Sequence, residues 1–227
     1  MNYPYLLFDA DDTLFDFPKA SSRAFSIMCR THGIPCTEEV HQLYHQINLE
    51  LWAAFDRGQV SKDFVTLERY VRFLKALGLE RDPAQCNRDY LAALGEGVYP
   101  LPHAEEVCRA LRARGHQMYI VTNAVASVQR SRLEGSVFSD LFLDAFISEE
   151  AGASKPDPAY YAYVQSRVPG ITAENTLVIG DSLSTDIRGA NNAGLPCCWY
   201  NPAGKPRPGD LRIDHEIGDL RQLLGIV

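Results

Sequence analysis

Hydrophobic and polar positions change rhythm twice along the chain. Tyr5-Leu6-Leu7-Phe8 is a short continuous apolar run, as in a parallel strand buried on both faces. From Pro18 to about Gly97 apolar residues recur instead at helical spacing, and four amphipathic helices are predicted. The first covers 18–31 and is stopped by His32-Gly33; the second follows Thr37, a candidate N-cap, and runs to about Arg57. The third covers 61–78, with Phe64, Leu67, Val71, Leu74 and Leu77 as its expected apolar stripe. The fourth opens at Asp82-Pro83, a cap followed by proline at the first helical position. From Tyr99 the pattern alternates: strands are predicted at 117–121, 145–147, 176–179 and 196–200. Helices are predicted at 102–114, 125–134 and 157–168, and another is capped by Ser184 and closed by Gly194.

Strands alternating with helices imply right-handed βαβ units and a parallel sheet covered by helices on both faces. The predicted class is therefore α/β, a Rossmann-like parallel sheet core carrying an inserted all-helical domain. Residues 1–16 and 98–227 are expected to form the core, and 17–97 the insertion.

Composition narrows the partners. With 46% hydrophobic and 22% charged residues, the chain reads as an ordinary globule, and a net charge of -7 without a basic run argues against a nucleic acid polymer. No apolar run approaches the roughly 20 residues of a membrane span, and no signal-peptide pattern opens the sequence. Six cysteines without a C-x-x-C pair suggest a reduced, cytoplasmic protein. Monomer and homodimer are both compatible with the sequence.

The chemistry gathers at predicted strand ends. Asp9, Asp11 and Asp12 follow the first strand, Thr122 and Asn123 the second, and Asp181 the 176–179 strand, while Lys155 lies in the loop after 145–147. Open α/β sheets place their sites at such ends. Like charges about 4 Å apart at an effective dielectric near 20 repel by about 4 kcal/mol, so the acids need a cation, a proton or open water. A solvated acidic turn meets that need; so does a hard cation such as Mg²⁺, with the hydroxyl, amide and lysine left for phosphate oxygens. His41 and His45 stand one helical turn apart, but no third ligand is evident, and Cys197-Cys198 reads as strand core.

Asp9-Ala10-Asp11-Asp12-Thr13-Leu14, Thr122-Asn123, Lys155-Pro156 and Gly180-Asp181-Ser182-Leu183-Ser184-Thr185-Asp186 resemble, in order, the four motifs of the haloacid dehalogenase superfamily. The resemblance spans essentially the whole chain, and the helical insertion resembles that superfamily's type-one cap. It implies Asp9 as nucleophile forming an aspartyl-phosphate, and Asp11 as the acid that protonates the leaving group and then activates water. It implies Mg²⁺ held by Asp9, the Asp11 carbonyl and Asp181, with Asp186 orienting a metal-bound water or Lys155. Thr122, Asn123 and Lys155 would hold phosphate, while Asp12 reads as orienting the loop or facing solvent rather than as a third catalyst. Dehalogenation at carbon does not need an acid at position 11, so phosphoryl chemistry is the expectation.

The segment 47–58, Phe15-Asp16-Phe17, and the stretch from Ile147 to Pro156 are similar to the pyrimidine-favouring 5′-nucleotidases of this superfamily. A small phosphorylated metabolite, a nucleoside monophosphate first, is the implied substrate, with insertion aromatics stacking on the base. Sugar-phosphate or phosphoglycolate hydrolysis is the main alternative; a phosphomutase, a 2-haloacid dehalogenase and a phospho-acceptor domain rank below it. At least half of Trp52, Phe55, Phe64 and Tyr70 are expected to fill the bundle core instead.

Overall fold

The computed structural model describes residues 3–227. Two compact units emerge, one of Met1–Phe17 with Val98–Val227, the other of Pro18–Gly97.

The first unit is built on a six-stranded sheet, β1 (Tyr5–Phe8), β2 (Gln117–Thr122), β3 (Asp144–Ile147), β4 (Thr176–Gly180), β5 (Cys197–Tyr200) and β6 (His215–Ile217). The order is β3-β2-β1-β4-β5-β6 and every pairing is parallel. The α/β expectation is met. Because side chains alternate along a strand, the continuous apolar runs feed two separate cores. Leu6, Phe8, Met118, Ile120, Leu177 and Ile179 pack on one face. Leu7, Tyr119, Val121, Val178, Cys197 and Trp199 pack on the other. Register places Phe8 beside Ile120 and Ile179, so β1, β2 and β4 end side by side.

β6 was not anticipated: it is three residues long, pairs only with β5, and buries one side chain, too little for a hydrophobic pattern. The helix after β4 also starts differently. Ser182, not Ser184, is the cap, accepting from the Thr185 N–H, and a π-helical turn (Leu183–Ile187) precedes the α-helical residues Arg188–Asn192.

The second unit holds four helices, of which the first starts one residue before it: α1 (Phe17–His32), α2 (Glu38–Asp56), α3 (Lys62–Leu77) and α4 (Pro83–Gly95). Thr37, Ser61 and Asp82 each cap a helix by accepting a backbone N–H, and Gly78 ends α3 at φ 65°. The α-helices of the first unit, among the described residues, are α5 (Ala104–Ala113), α6 (Ala126–Glu134), α7 (Ser148–Ala151), α8 (Pro158–Arg167) and α9 (Arg188–Asn192).

The stripe expected on α3 is mostly the wrong face. Phe64, Leu67 and Val71 are exposed, whereas Val65, Arg69, Tyr70, Phe73 and Leu74 are buried. Arg69 can occupy the inner face because its guanidinium donates to Asn48 Oδ1 at 3.1 Å and Asn87 Oδ1 at 2.8 Å. It also lies over the rings of Tyr70 and Tyr90 at 5.3 and 4.7 Å. Of the four aromatics weighed as core, Tyr70 alone is fully buried; Trp52 and Phe55 are half-buried, ring on edge at 5.5 Å. His41 packs edge-on against Phe25 while His45 is exposed, and the described residues offer no third metal ligand to the pair.

Candidate active site

The sheet ends supply a buried acid–lysine cluster. β1 runs straight into Asp9, whose N–H donates to the Ile179 carbonyl of β4 at 2.8 Å, locking the carboxylate at the centre of the sheet. The chain then turns tightly: Leu14 and Phe15 N–H both reach the Ala10 carbonyl, and Asp12 sits at φ 60° with its N–H on Phe15 O. Asp12 Oδ1 accepts from Phe17 N–H at 3.2 Å, so this residue organises the loop. Burial, reinforced by the neighbouring Asp11, pushes its carboxyl up to about 6.

Lys155 reaches the cluster from the loop between α7 and α8; α7, a single turn directly after β3, stands where the sequence suggested only a loop. Its ammonium donates to Asp9 Oδ1 at 2.7 Å, Asp186 Oδ1 at 2.6 Å and the Val121 carbonyl at 2.8 Å, so all three N–H groups are used. Burial works against its charge, but Asp186 and Asp9 outweigh that and hold the ammonium well above the usual lysine range. Asn123 secures the loop: its Oδ1 accepts from Lys155 N–H at 3.0 Å and its amide donates to Lys155 O at 2.8 Å. One amide N–H remains beyond that pair. Thr122 is buried and caps the turn after β2, its Oγ1 accepting from Ala124 N–H.

Asp186 is 1% exposed, with Oδ1 on Lys155 and Oδ2 accepting from the Ser182 N–H at 3.1 Å. The approach requires glycine at 180, where a Cβ would stand 2.3 Å from Asp186 Cγ. Asp181 lies on the rim, its backbone carbonyl held by Trp199 Nε1–H at 2.9 Å.

Asp9, Asp181 and Asp186 can each present an oxygen within 4.8 Å of the others. Burial, followed by the Asp186 charge, drives Asp9 well above the usual carboxylate range and Asp181 to about 7. Three carboxylates facing one ammonium leave negative charge unbalanced, and an all-oxygen donor set fits a hard divalent cation such as Mg²⁺.

Asp11 lies apart from the lysine, with its carboxylate on the Arg132 guanidinium of α6. Arg132 had no signal in the sequence. It sits in a polar run, Gln129-Arg130-Ser131-Arg132, indistinguishable from a solvated helix face, yet its side chain is 1% exposed.

A doubly covered parallel sheet with acids after its central strand and a lysine donating to them defines a strand-end site of the Rossmann-like type. A family model described as haloacid dehalogenase-like hydrolase matches residues 3–194, and the chain belongs to that family. It is 39% identical over 225 residues to the HAD-hydrolase YfnB of Bacillus subtilis, covering 99% of this chain and 95% of YfnB. A crystal structure of YfnB bound to magnesium superposes with a TM-score of 0.93 over 100% of this chain and 99% of that one, at 38% identity. The pyrimidine 5′-nucleotidase PynA of Streptococcus pneumoniae is 33% identical over 224 residues, covering 99% of this chain and 94% of PynA. The pyrimidine 5′-nucleotidase YjjG of Escherichia coli is 29% identical over 223 residues, with 98% and 97% covered.

Proposed function

We propose that the protein is a Mg²⁺-dependent phosphomonoester hydrolase working through a phosphorylated Asp9, with nucleoside 5′-monophosphates, pyrimidine ones first, as substrates. The observation that carries the reading is the Lys155 ammonium bound to both Asp9 and Asp186 at the ends of the central strands. That arrangement fixes a nucleophile in place and aims a buried cation at the position of a transferring phosphoryl group. Asp9, Asp181 and the Asp11 carbonyl would hold Mg²⁺, which would supply positive charge for the phosphate and offset the crowding of the acids.

A carboxylate oxygen of Asp9 attacks phosphorus as the ester P–O bond breaks, and Asp11 delivers a proton to the departing alkoxide. Asp11 then takes a proton from water, whose oxygen displaces Asp9 and releases phosphate. The Thr122 hydroxyl and the remaining Asn123 N–H hold equatorial oxygens, and Lys155, whose three N–H groups are engaged, acts on them through its charge. The core provides only phosphate chemistry, so choice of alcohol is assigned to the inserted helical unit, in the role of a cap. Relatives that act on pyrimidine nucleotides favour that substrate class over sugar phosphates. Free thiols at all six cysteines agree with a reducing, cytoplasmic setting.

Phosphate release from dUMP, dTMP, sugar phosphates and phosphoglycolate, with Mg²⁺ or with EDTA, tests the proposal. Nucleotides should give the highest kcat/KM and EDTA should abolish it. Far faster turnover of sugar phosphates than of every nucleotide would sink the nucleotidase reading while leaving the phosphatase.

A further inference from the structure

The two acids flanking Ala10 are held by two different cations. Lys155 spends its three N–H groups on Asp9, Asp186 and Val121, none of them on Asp11. Asp11 Oδ1 instead accepts from Nη1 of Arg132, 121 residues further along the chain. The arginine is fixed from several sides. Its guanidinium carbon lies 4.5 Å from the centroid of the Phe15 ring, in the loop that Asp11 opens, and Nη1 also reaches Gln129 Oε1 at 3.4 Å. Phe15 is itself buried and edge-on to Phe138 at 5.1 Å. Asp11, by contrast, keeps 26% of its side chain exposed.

Burying a guanidinium is unfavourable unless a partner of good geometry compensates, and here that partner is the half-buried acid two residues after the nucleophile. A guanidinium has only N–H donors, so the carboxylate oxygen facing it accepts and cannot carry an O–H in that direction. We propose that Arg132 is a positioning residue for proton transfer: by engaging Oδ1 it leaves Oδ2 of Asp11 as the atom that gives and takes the proton. The inference rests on the phosphatase reading. In the first step the Oδ2 proton passes to the leaving oxygen as the ester P–O bond breaks and the Asp9–phosphorus bond forms. In the second, Oδ2 accepts a water proton as the water oxygen bonds phosphorus and the Asp9–phosphorus bond breaks. No other reactant is needed.

The test compares a nucleoside monophosphate, whose alkoxide needs a proton to leave, with p-nitrophenyl phosphate, whose phenolate does not. Arg132→Gln should lower kcat on the nucleotide by roughly 10- to 100-fold, part of the usual worth of a general acid, with KM within about threefold. On p-nitrophenyl phosphate it should give a burst of about one nitrophenolate per enzyme and then slow turnover, because only the water step is impaired. Arg132→Lys should recover part of the loss. In an Asp11→Asn background, Arg132→Gln should change kcat by less than about threefold, since an effect exerted through Asp11 vanishes with it. Losses that multiply in the double variant, or an unchanged Arg132→Gln enzyme, would overturn the inference while the phosphatase stands. If Arg132→Gln does not fold, Arg132→Lys carries the same double-variant comparison. A wild-type protein inactive on both esters would overturn the phosphatase reading and this inference together.

Discussion

At Gly180 a single missing methyl group holds the site open. Its Cβ would lie 2.3 Å from both Cγ and Oδ2 of Asp186, and Asp186 has no room to yield because Lys155 and the Ser182 N–H hold its two oxygens. Gly180→Ala should therefore cost about 1–3 kcal/mol by overpacking and displace the carboxylate that steadies Lys155. Urea unfolding together with kcat would show both losses; a variant with wild-type stability and turnover would contradict the packing. Asp9→Asn probes the same cluster differently. It preserves shape but exchanges a nucleophilic oxygen for an amide, so turnover should fall by at least about 10³-fold while the thermal midpoint stays near wild type. Retained turnover would remove Asp9 from the chemistry.

Among the elements, α3 carries the sharpest contrast between pattern and packing. Phe64, Leu67 and Val71 mark an apolar stripe that stands outward, whereas the inner face includes an arginine. Residue type alone scores Arg69 as surface; what reverses the score is a cage of Asn48, Asn87, Tyr70 and Tyr90 assembled from α2, α3 and α4. Arg69→Ala would orphan the amide oxygens of buried Asn48 and half-buried Asn87 and open a void, so a loss of roughly 2–5 kcal/mol is expected. Urea unfolding followed by far-UV circular dichroism measures it, and a change below about 0.5 kcal/mol, as at an ordinary surface position, would refute the cage. The same limit explains which parts of the site were legible. Asp9 and Asp181 were readable because each follows a strand whose apolar run is local, and parallel pairing brings strand ends together; Lys155 was readable only as part of the loop that leads to α8. Arg132 was not, because its partner Asp11 is 121 residues away and its own neighbours are polar. The cap at Ser182 escaped for a smaller reason: a π-helical turn shifts the helix start that an α-helical count assigns to Ser184.

Over the whole molecule, the thiols report how firmly each unit is closed. Cys36 is exposed; Cys29, Cys86, Cys108, Cys197 and Cys198 are buried, two of them in the helical unit and three in the sheet unit. Burial pushes Cys29, Cys108 and Cys198 from the ordinary 9.0 to about 12. At pH 8 roughly one in ten thousand of such thiols is ionised, and the thiolate is the reactive form. An aromatic disulfide reagent at pH 8 should therefore modify one thiol per chain quickly, Cys36→Ser should abolish that fast phase, and the other five should react only with denaturant. The pH dependence has a definite sign. A thiol whose folded value is raised favours the folded state below 9.0, and that advantage is lost as pH climbs through about 12. Because such thiols sit in both units, alkali should weaken both: the thermal midpoint should fall progressively above pH 9, as buried thiols in either unit become accessible to the reagent. A midpoint flat from pH 9 to the alkaline limit, or several fast thiols at pH 8, would mean that these side chains are not enclosed in solution.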